Sequence, residues 1–378
     1  MQINSLTLTN FRNYHEVSIR LHPKLNCFVG NNGVGKTNLL DAIYYLCMCK
    51  SYLHATDQYS INREEDFMLI RAMFDRDNKN EELYCGLQRD HKKQFRRNNK
   101  EYSRLSDHVG LFPVVMVSPN DSYLISGGSE ERRKYMNSVI SQYNKQYLDT
   151  IINYNKILAQ RNKVLKDSAV NSRQTDEMLD IFDLQLIDLG KAIYAERRSF
   201  IERFIPVFEE LYSFISQENE KVEMVYQSQL NEADFTTELR NSRNRDRAVQ
   251  FTTVGVHKDD LVLHLEGSPI KKTGSQGQQK TYLVALKLAQ FRFLEEVKKI
   301  SPLLLLDDVF DKFDAGRVRQ LLKLVADDAY GQIFITHTNL DRMNVILNEL
   351  NIEHKLFYVD ATSNVRELDE SEIPNKVS

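Results

Sequence analysis

Apolar and polar residues alternate through MQINSLTLTNFRNY at the N-terminus, a period of two that predicts a strand. The same pattern holds over the first 125 residues, where INSLTLTNF, EVSIRL, NCFVG, FMLIRAMF, ELYCGLQR and PVVMVSP read as short strands, with one helix at NLLDAIYYLCM. A mixed sheet is expected. From about Glu130 apolar residues recur instead at three and four steps, at Leu148, Ile151 and Ile152 and again at Leu179, Phe182, Leu186, Leu189 and Ile193, which predicts helices. Two long helices separated by the polar KDSAVNSRQTDE are expected to form an antiparallel pair, each too short for an extended coiled-coil arm. After Pro206 the pattern shortens. Strands return at FTTVGVHKDDLVLHLEG, followed by a helix at QQKTYLVALKLAQFRFLEEVKK and a buried strand at PLLLLDD, and the polar tail ELDESEIPNKVS is expected to fray.

Two of these elements carry candidate chemistry. Gly30, Asn31, Asn32, Gly33, Val34, Gly35, Lys36 and Thr37 fit GxxxxGK[ST], a loop whose backbone amides wrap phosphates while the lysine reaches the terminal ones and the hydroxyl binds magnesium. The strand-like LNCFV precedes it, and a helix with Leu39, Leu40, Ile43 and Leu46 on one face follows, so the helix dipole would point at the phosphate. Such a site needs a carboxylate for the metal at the end of a buried strand. Asp307, where the run Leu303 to Leu306 ends, is the expected metal ligand beside Thr37, and Asp308 is placed to orient or deprotonate an attacking water. An acidic turn capping a core strand is the plainer reading, and the two are compatible.

Composition narrows the class. A chain of 378 residues suggests two domains or one with a large insertion. With 50 Lys plus Arg against 53 Asp plus Glu, no global field draws it to nucleic acid or anionic lipid, so a polyanion must meet a local patch. Cys27, Cys47, Cys49 and Cys85 form no CxxC pair, which suits a reducing compartment and no structural zinc. The N-terminus lacks a charged lead and apolar block, and nothing approaches 18 consecutive apolar residues, so a cytoplasmic protein without a membrane partner is expected.

Six ordered blocks make the chain recognisable: NFRNY (Asn10 to Tyr14), the glycine loop, SPNDSYLISGGSEERRKYMN (Ser118 to Asn137), GVHKDDL (Gly255 to Leu261), SQGQQK (Ser275 to Lys280) and LLLLDDVFDKFD. In these it resembles the RecF family, recombination mediators whose ATPase head is similar to those of ABC, SMC and Rad50 proteins. The resemblance implies an α/β P-loop NTPase of the ABC-ATPase head type with mixed sheets and an inserted α-helical lobe. The ATPase lobe would comprise 1–125 and 255–378, and the helical lobe 126–254. It implies ATP and Mg2+ as cofactors, and a homodimer in which Ser275, Gly277 and Gln278 of one copy cap the ATP of the other. Alone, that segment reads as a polar helix cap. Asp314 carries over as a cross-dimer carboxylate, His337 as a histidine sensing the terminal phosphate, and Arg12 as a phosphate contact. An ordinary loop histidine and a surface arginine are the alternatives for the last two.

The chain departs from the family at Asn120, Ser129 and Asn137, and Asp311, Lys312 and Phe313 replace the usual run before Asp314. No counterpart of the ABC glutamine loop is evident, and Asp308 stands where transporters carry Glu, so hydrolysis by Lys36, Asp308 and His337 is expected to be slow. The charges of GVHKDDL, His257 to Asp260, receive no role. The resemblance further implies ATP-dependent binding to DNA at gaps or junctions, in gap repair and the SOS response, with RecR and RecO as partners that help place RecA. Two basic clusters, Arg89, Lys92, Lys93, Arg96, Arg97 and Lys100, and Arg240, Arg243, Arg245 and Arg247, are candidate DNA contacts or merely solvated faces. About five phosphate contacts would give log affinity a slope near -4 to -5 against log salt. A transporter ATPase would need an insertion-loop Gln and a Glu after Asp307, and an SMC-like clamp would need long heptad arms; neither is evident.

Overall fold

A computed structural model describes residues 1–167, 173–216, 220–231, 234–309, 331–350 and 353–368. The chain forms two compact units, Met1–Asp121 with Gln290–Ser378, and Ser122–Ala289. The segment 255–289, expected in the ATPase lobe, therefore packs within the second unit. The reason is strand pairing, described below.

The first unit opens with β1 (Gln2–Phe11), β2 (Tyr14–Arg20), β3 (Leu25–Val29) and α1 (Lys36–Met48). β4 (Phe67–Arg76), β5 (Lys79–Gln88), β6 (Gln94–Arg97), β7 (Lys100–Glu101) and β8 (Val114–Val117) follow. Ile3, Leu6 and Leu8 of β1 all point inward although their spacing is not strictly two, because the register shifts between Ile3 and Ser5. The resulting antiparallel sheet has the order β2-β1-β4-β5-β6-β7.

In the second unit the longer helices are α2 (Ser129–Tyr143), α3 (Lys145–Asp167) and α4 (Arg173–Ser216). α3 and α4 run antiparallel, as the register of Arg161 on Asp183 (2.6 Å) and Tyr147 on Arg197 (3.1 Å) shows. The pattern does not end near Pro206, since α4 continues to Ser216. Phe200, Phe204, Phe208, Leu211, Tyr212 and Ile215 keep helical spacing and are buried, whereas Pro206 is exposed, so water can serve the carbonyl its ring leaves unbonded. β9 (Val222–Gln227), β10 (Asp260–Leu265) and β11 (Ser268–Pro269) form a three-stranded antiparallel sheet, and this pairing draws the segment after 255 into the helical unit. α5 (Gln276–Lys298) begins here, and the break between units falls within it.

The chain completes the first unit with β12 (Leu303–Asp307), β13 (Ile333–His337), α6 (Leu340–Leu350), β14 (His354–Val359) and β15 (Val365–Glu367). They build a second sheet, β15-β14-β3-β13-β12-β8, parallel throughout except at β15. β3, β12 and β13 are buried along their whole length, as continuous apolar runs require. α1 lies between the two sheets, touching β1, β4 and β5 of one and β8, β12 and β13 of the other. It is consequently buried from Leu39 through Met48 rather than on a single face. Among the described residues no helix is long and apolar enough to cross a membrane.

Between α3 and α4 the filling is ionic as well as apolar. Arg161 is fully buried and donates to Asp183 (2.6 Å), Asp246 (2.7 Å) and Thr252 Oγ1 (2.9 Å). Replacing Arg161 by Met leaves Asp246 without its cation and Asp183 with Arg243 alone, and a buried pair that loses one partner costs about 3–5 kcal/mol. The urea midpoint of the unit containing α3 and α4 is expected to fall accordingly; an unchanged midpoint would mean that the pair is solvated.

Candidate nucleotide site

Register brings the functional side chains to one edge. Asp307 of β12 lies opposite Thr336 of β13, and His337 opposite Val29 of β3, so three parallel strands end together where the glycine loop begins. Ligands of open α/β sheets bind at this carboxyl edge.

The loop can fold only with its glycines. Gly33 and Gly35 have φ of 83° and 110°, and an added Cβ would lie 2.3 Å from Val359 O at Gly30 and 2.2 Å from Asn13 Nδ2 at Gly35. Gly35 O accepts Asn38 N–H (2.8 Å) and Leu39 N–H (3.3 Å), which starts α1 and leaves its first amides facing the cradle. Lys36 is buried, and its Nζ donates to Gly30 O (2.8 Å) and Asn31 O (2.9 Å), folded back along the loop.

Thr37 Oγ1 donates to Asp307 Oδ1 at 2.8 Å, and Thr336 Oγ1 donates to the same oxygen at 2.8 Å. The Thr37 to Asp307 spacing matches the roughly 2.9 Å edge between neighbouring ligands of an octahedral magnesium ion bonded at about 2.0–2.1 Å. The described residues contain no group of three or more His, Cys, Asp or Glu able to hold a metal by themselves. A cation here would take one hydroxyl, one carboxylate, phosphate and water, the mixture magnesium favours. Asp308 follows at φ 47°, its N–H donating to Thr336 Oγ1 (3.0 Å). His337 is buried at the end of β13, with Thr338 N–H donating to its Nδ1 (2.8 Å).

Arg12 is committed to the protein. Its guanidinium donates to Asn38 Oδ1 (3.0 Å), Asp41 Oδ2 (2.6 Å) and Ser51 Oγ (2.9 Å), just behind the start of α1. Burial pushes the Asp41 carboxyl above the usual range, and Arg12 and the Tyr52 N–H (2.6 Å) oppose that shift. Tyr52 OH in turn donates to Asp121 of the SPND block. Asp41, Asn13, Tyr14 and Thr336 all belong to this site and are not singled out by the sequence. The available signal is an acidic residue inside an apolar helix, and the neighbours of Arg12 in NFRNY.

Ser275 and Gln278 form a reciprocal cap: Gln278 N–H donates to Ser275 Oγ (3.2 Å), and Ser275 N–H to Gln278 Oε1 (2.7 Å). The segment is partly exposed at the start of α5, with Gly277 between the two capping residues. Asp314 lies outside the described residues. Apart from the exposed Lys258, the polar groups of GVHKDDL meet partners within the unit: Asp259 binds Arg197 (2.7 Å), Asp260 binds Arg132 (2.7 Å), and His257, pushed down to about 4 by burial, meets Tyr154 OH (2.8 Å).

Neither basic cluster is a free patch. Lys93 bonds Asp57 (2.7 Å), Arg97 bonds Glu81 (2.9 Å), and Arg89 bonds Glu65 O (2.9 Å). In the other cluster Arg243 pairs with Asp183 (2.6 Å), Arg247 with Asp176, and Arg245 with Thr253 Oγ1 (2.7 Å). Lys92, Lys100 and Arg240 are exposed.

Residues 2–355 match the family model of the RecF/RecN/SMC N terminal domain. DNA replication and repair protein RecF of Bacteroides thetaiotaomicron is 50% identical over 361 residues, covering 95% of this chain and 97% of the relative. The RecF of Flavobacterium johnsoniae is 43% identical over 357 residues, 94% of this chain and 99% of the relative. A solved structure of the recombination mediator protein RecF with ATP in the RecFOR pathway superposes with TM-score 0.87 at 27% identity, covering 97% of this chain and 98% of that one. The Smc head domain of Pyrococcus furiosus, at 16% identity and TM-score 0.57 over 98% of this chain and 97% of that one, is alike in fold. These likenesses bear out the expected α/β ABC-type head with mixed sheets and helical insertion.

Burial pushes Asp307 up to about 6 from 3.8, with Thr37 and Thr336 opposing the shift and Asp308 adding to it. A folded pKa above the unfolded one means that ionisation costs stability: the cost is absent below pH about 4 and complete above pH about 6. Asp307→Asn is therefore expected to stabilise the metal-free protein, by about 1 kcal/mol more at pH 8 than at pH 5. Thermal unfolding at the two pH values checks this, and an equal gain at both would mean that the carboxylate is well solvated.

Proposed function

Because the chain belongs to the RecF family, we propose that it is an ATP-dependent, DNA-binding recombination mediator acting in DNA repair and replication. The observation that carries the proposal is the direct bond from the Thr37 hydroxyl to the Asp307 carboxylate. It joins the phosphate loop to the end of a buried parallel strand, the arrangement a magnesium nucleotide requires.

In this reading the amides of Gly30 to Thr37 surround the phosphates of ATP, and Lys36 leaves the Gly30 and Asn31 carbonyls to reach the terminal ones. Thr37 and Asp307 would hold Mg2+, which would supply charge neutralisation at the phosphates when bound. Asp308 orients the attacking water, and His337 senses the terminal phosphate. Arg12, anchored on Asp41 at the start of α1, is the arginine that family membership supports as a phosphate contact. Ser275, Gly277 and Gln278 turn their hydroxyl and amides from the helix cap to the ATP of a second copy, and Asp314 is the cross-dimer carboxylate that family membership supports. ATP is thereby shared by two chains, and slow hydrolysis releases them.

In functional terms the ATPase lobe comprises 1–125 and 255–378, and the helical lobe is 126–254. DNA is held by backbone contacts, and dimerisation pools two modest basic faces so that avidity rises without new contacts. RecR and RecO are the partners that family membership supports, RecA is the downstream recombinase, and the cytoplasm is the place of action. A transporter subunit or SMC-like clamp is the less favoured reading.

ATP with magnesium is expected to shift the protein from monomer to dimer in sedimentation, and Lys36→Met or Ser275→Arg to abolish the shift. Sedimentation indifferent to nucleotide would overturn the shared-site reading. Asp308→Asn is expected to keep ATP affinity while turnover falls by on the order of 10²-fold or more, the usual contribution of a positioned base. Wild-type turnover in that variant would take Asp308 out of the mechanism.

A further inference from the structure

The nucleotide loop is gripped from outside by two residues that none of these roles employs. Asn13 sits in the turn between β1 and β2, beside Arg12 at φ 54°. Its Nδ2 donates to Val34 O (2.9 Å) and to Ser363 Oγ (2.6 Å), and its Oδ1 accepts from Asn38 Nδ2 (2.6 Å). Ser363 lies in the turn between β14 and β15 at φ 63°, and its own Oγ is 3.4 Å from Val34 O. That turn is held by Asp360 Oδ1, which accepts from Thr362 N–H (2.8 Å) and Asn364 N–H (3.0 Å).

The amide orientations are forced. Arg12 can only donate, and its Nη1 donates to Asn38 Oδ1 at 3.0 Å. Asn38 must then offer its NH2 group to Asn13, which leaves the Asn13 oxygen facing Asn38 and the Asn13 NH2 group facing Val34 and Ser363.

The consequence follows from peptide geometry. In a trans peptide the carbonyl and the following N–H point in opposite directions, and the described chain has no cis bond. Holding Val34 O from outside therefore turns Gly35 N–H into the cradle. Tyr14 OH, donating to Gly35 O at 2.9 Å, does the same for Lys36 N–H. Gly35 is what lets Asn13 approach, since a Cβ there would collide with the Asn13 amide.

We infer that Asn13 and Ser363 are positioning residues for the nucleotide: Asn13 fixes the Val34–Gly35 peptide so that its N–H faces phosphate, and Ser363 holds Asn13 in place. The inference rests on the reading of this loop as an ATP site. It makes the β14–β15 turn, far along the chain from the glycine loop, a part of the nucleotide site.

The test is calorimetric titration of the full-length protein with ATP and magnesium, with thermal unfolding of the nucleotide-free variants alongside. Asn13→Ala is expected to weaken ATP by about tenfold, the order for losing one partly buried hydrogen bond, and Ser363→Ala by about threefold. Because Ser363 acts chiefly through Asn13, its own bond to Val34 O being long at 3.4 Å, the double variant should bind nearly as well as Asn13→Ala alone. Asn13→Asp, which keeps the shape and removes the donor, should bind at least as poorly as Asn13→Ala. Wild-type affinity in the Asn13 variants, or losses that multiply in the double variant, would overturn the clamp. Ser363→Ala, in a surface turn, keeps the proposal testable should the Asn13 variants unfold, and wild-type affinity in it would remove Ser363. Failure of the wild-type protein to bind ATP, or full binding by Lys36→Met, would instead overturn the ATP reading beneath it.

Discussion

Everything at the candidate site depends on one buried carboxylate. Asp307 is fixed at the end of a fully buried parallel strand, and two hydroxyls, Thr37 from the glycine loop and Thr336 from the neighbouring strand, donate to the same oxygen. Burial makes its charge costly in the absence of a counterion, and the place where a counterion would sit is also where the phosphate loop ends. A cation bound there would relieve the cost and join the loop to the strand, so affinity for a magnesium nucleotide is bound up with the sheet that carries Asp307. The loop amides, the lysine and the outer clamp of Asn13 and Ser363 only shape what surrounds this point.

The helical unit follows a different logic, in which charges serve internal assembly. Arg132 and Arg133 of the SEERRKYMN stretch bind Asp260 and the carbonyl of Asp259, so two sequence blocks separated by more than a hundred residues meet as one structure. Arg197 sits at their centre, donating to Asp259 Oδ2 (2.7 Å), Val256 O (2.8 Å) and Tyr147 OH (3.1 Å). Buried ion networks of this kind contribute little net stability but penalise every arrangement that separates the partners. They suit a lobe that, in the function proposed above, keeps its shape while ATP joins and releases two copies. They also account for Asp259, whose charge receives no role from the sequence and is structural in the fold.

The same accounting changes the picture of DNA contact. Runs rich in Arg and Lys look like polyanion sites, yet Lys93, Arg97, Arg243 and Arg247 are each matched by an acidic partner in the fold. What remains at each cluster is a modest positive surface. A protein of nearly balanced charge with such surfaces fits DNA binding that becomes firm only when two copies act together, which is how ATP could govern it.

Sequence alone determined the elements whose signal is local: the glycine loop with Lys36 and Thr37, the apolar run ending in Asp307, the antiparallel helices, and through six ordered blocks the family and fold. It could not determine contacts in which distant segments meet, because nothing local marks them. Pro206 reads in sequence as the point where a helical pattern shortens, and the aromatic face that carries α4 past it becomes visible only when that face is seen buried. Arg12 reads as a phosphate contact and is held by Asp41, a residue that its apolar helix makes easy to overlook. Ser275 and Gln278 have equal claims in sequence to cap a helix or to meet a phosphate, and in the fold they cap α5. Asn13 acquires meaning only through Val34 and Ser363, which tertiary packing alone brings to it, since an amide's role is set by which carbonyl it reaches rather than by its neighbours in the chain.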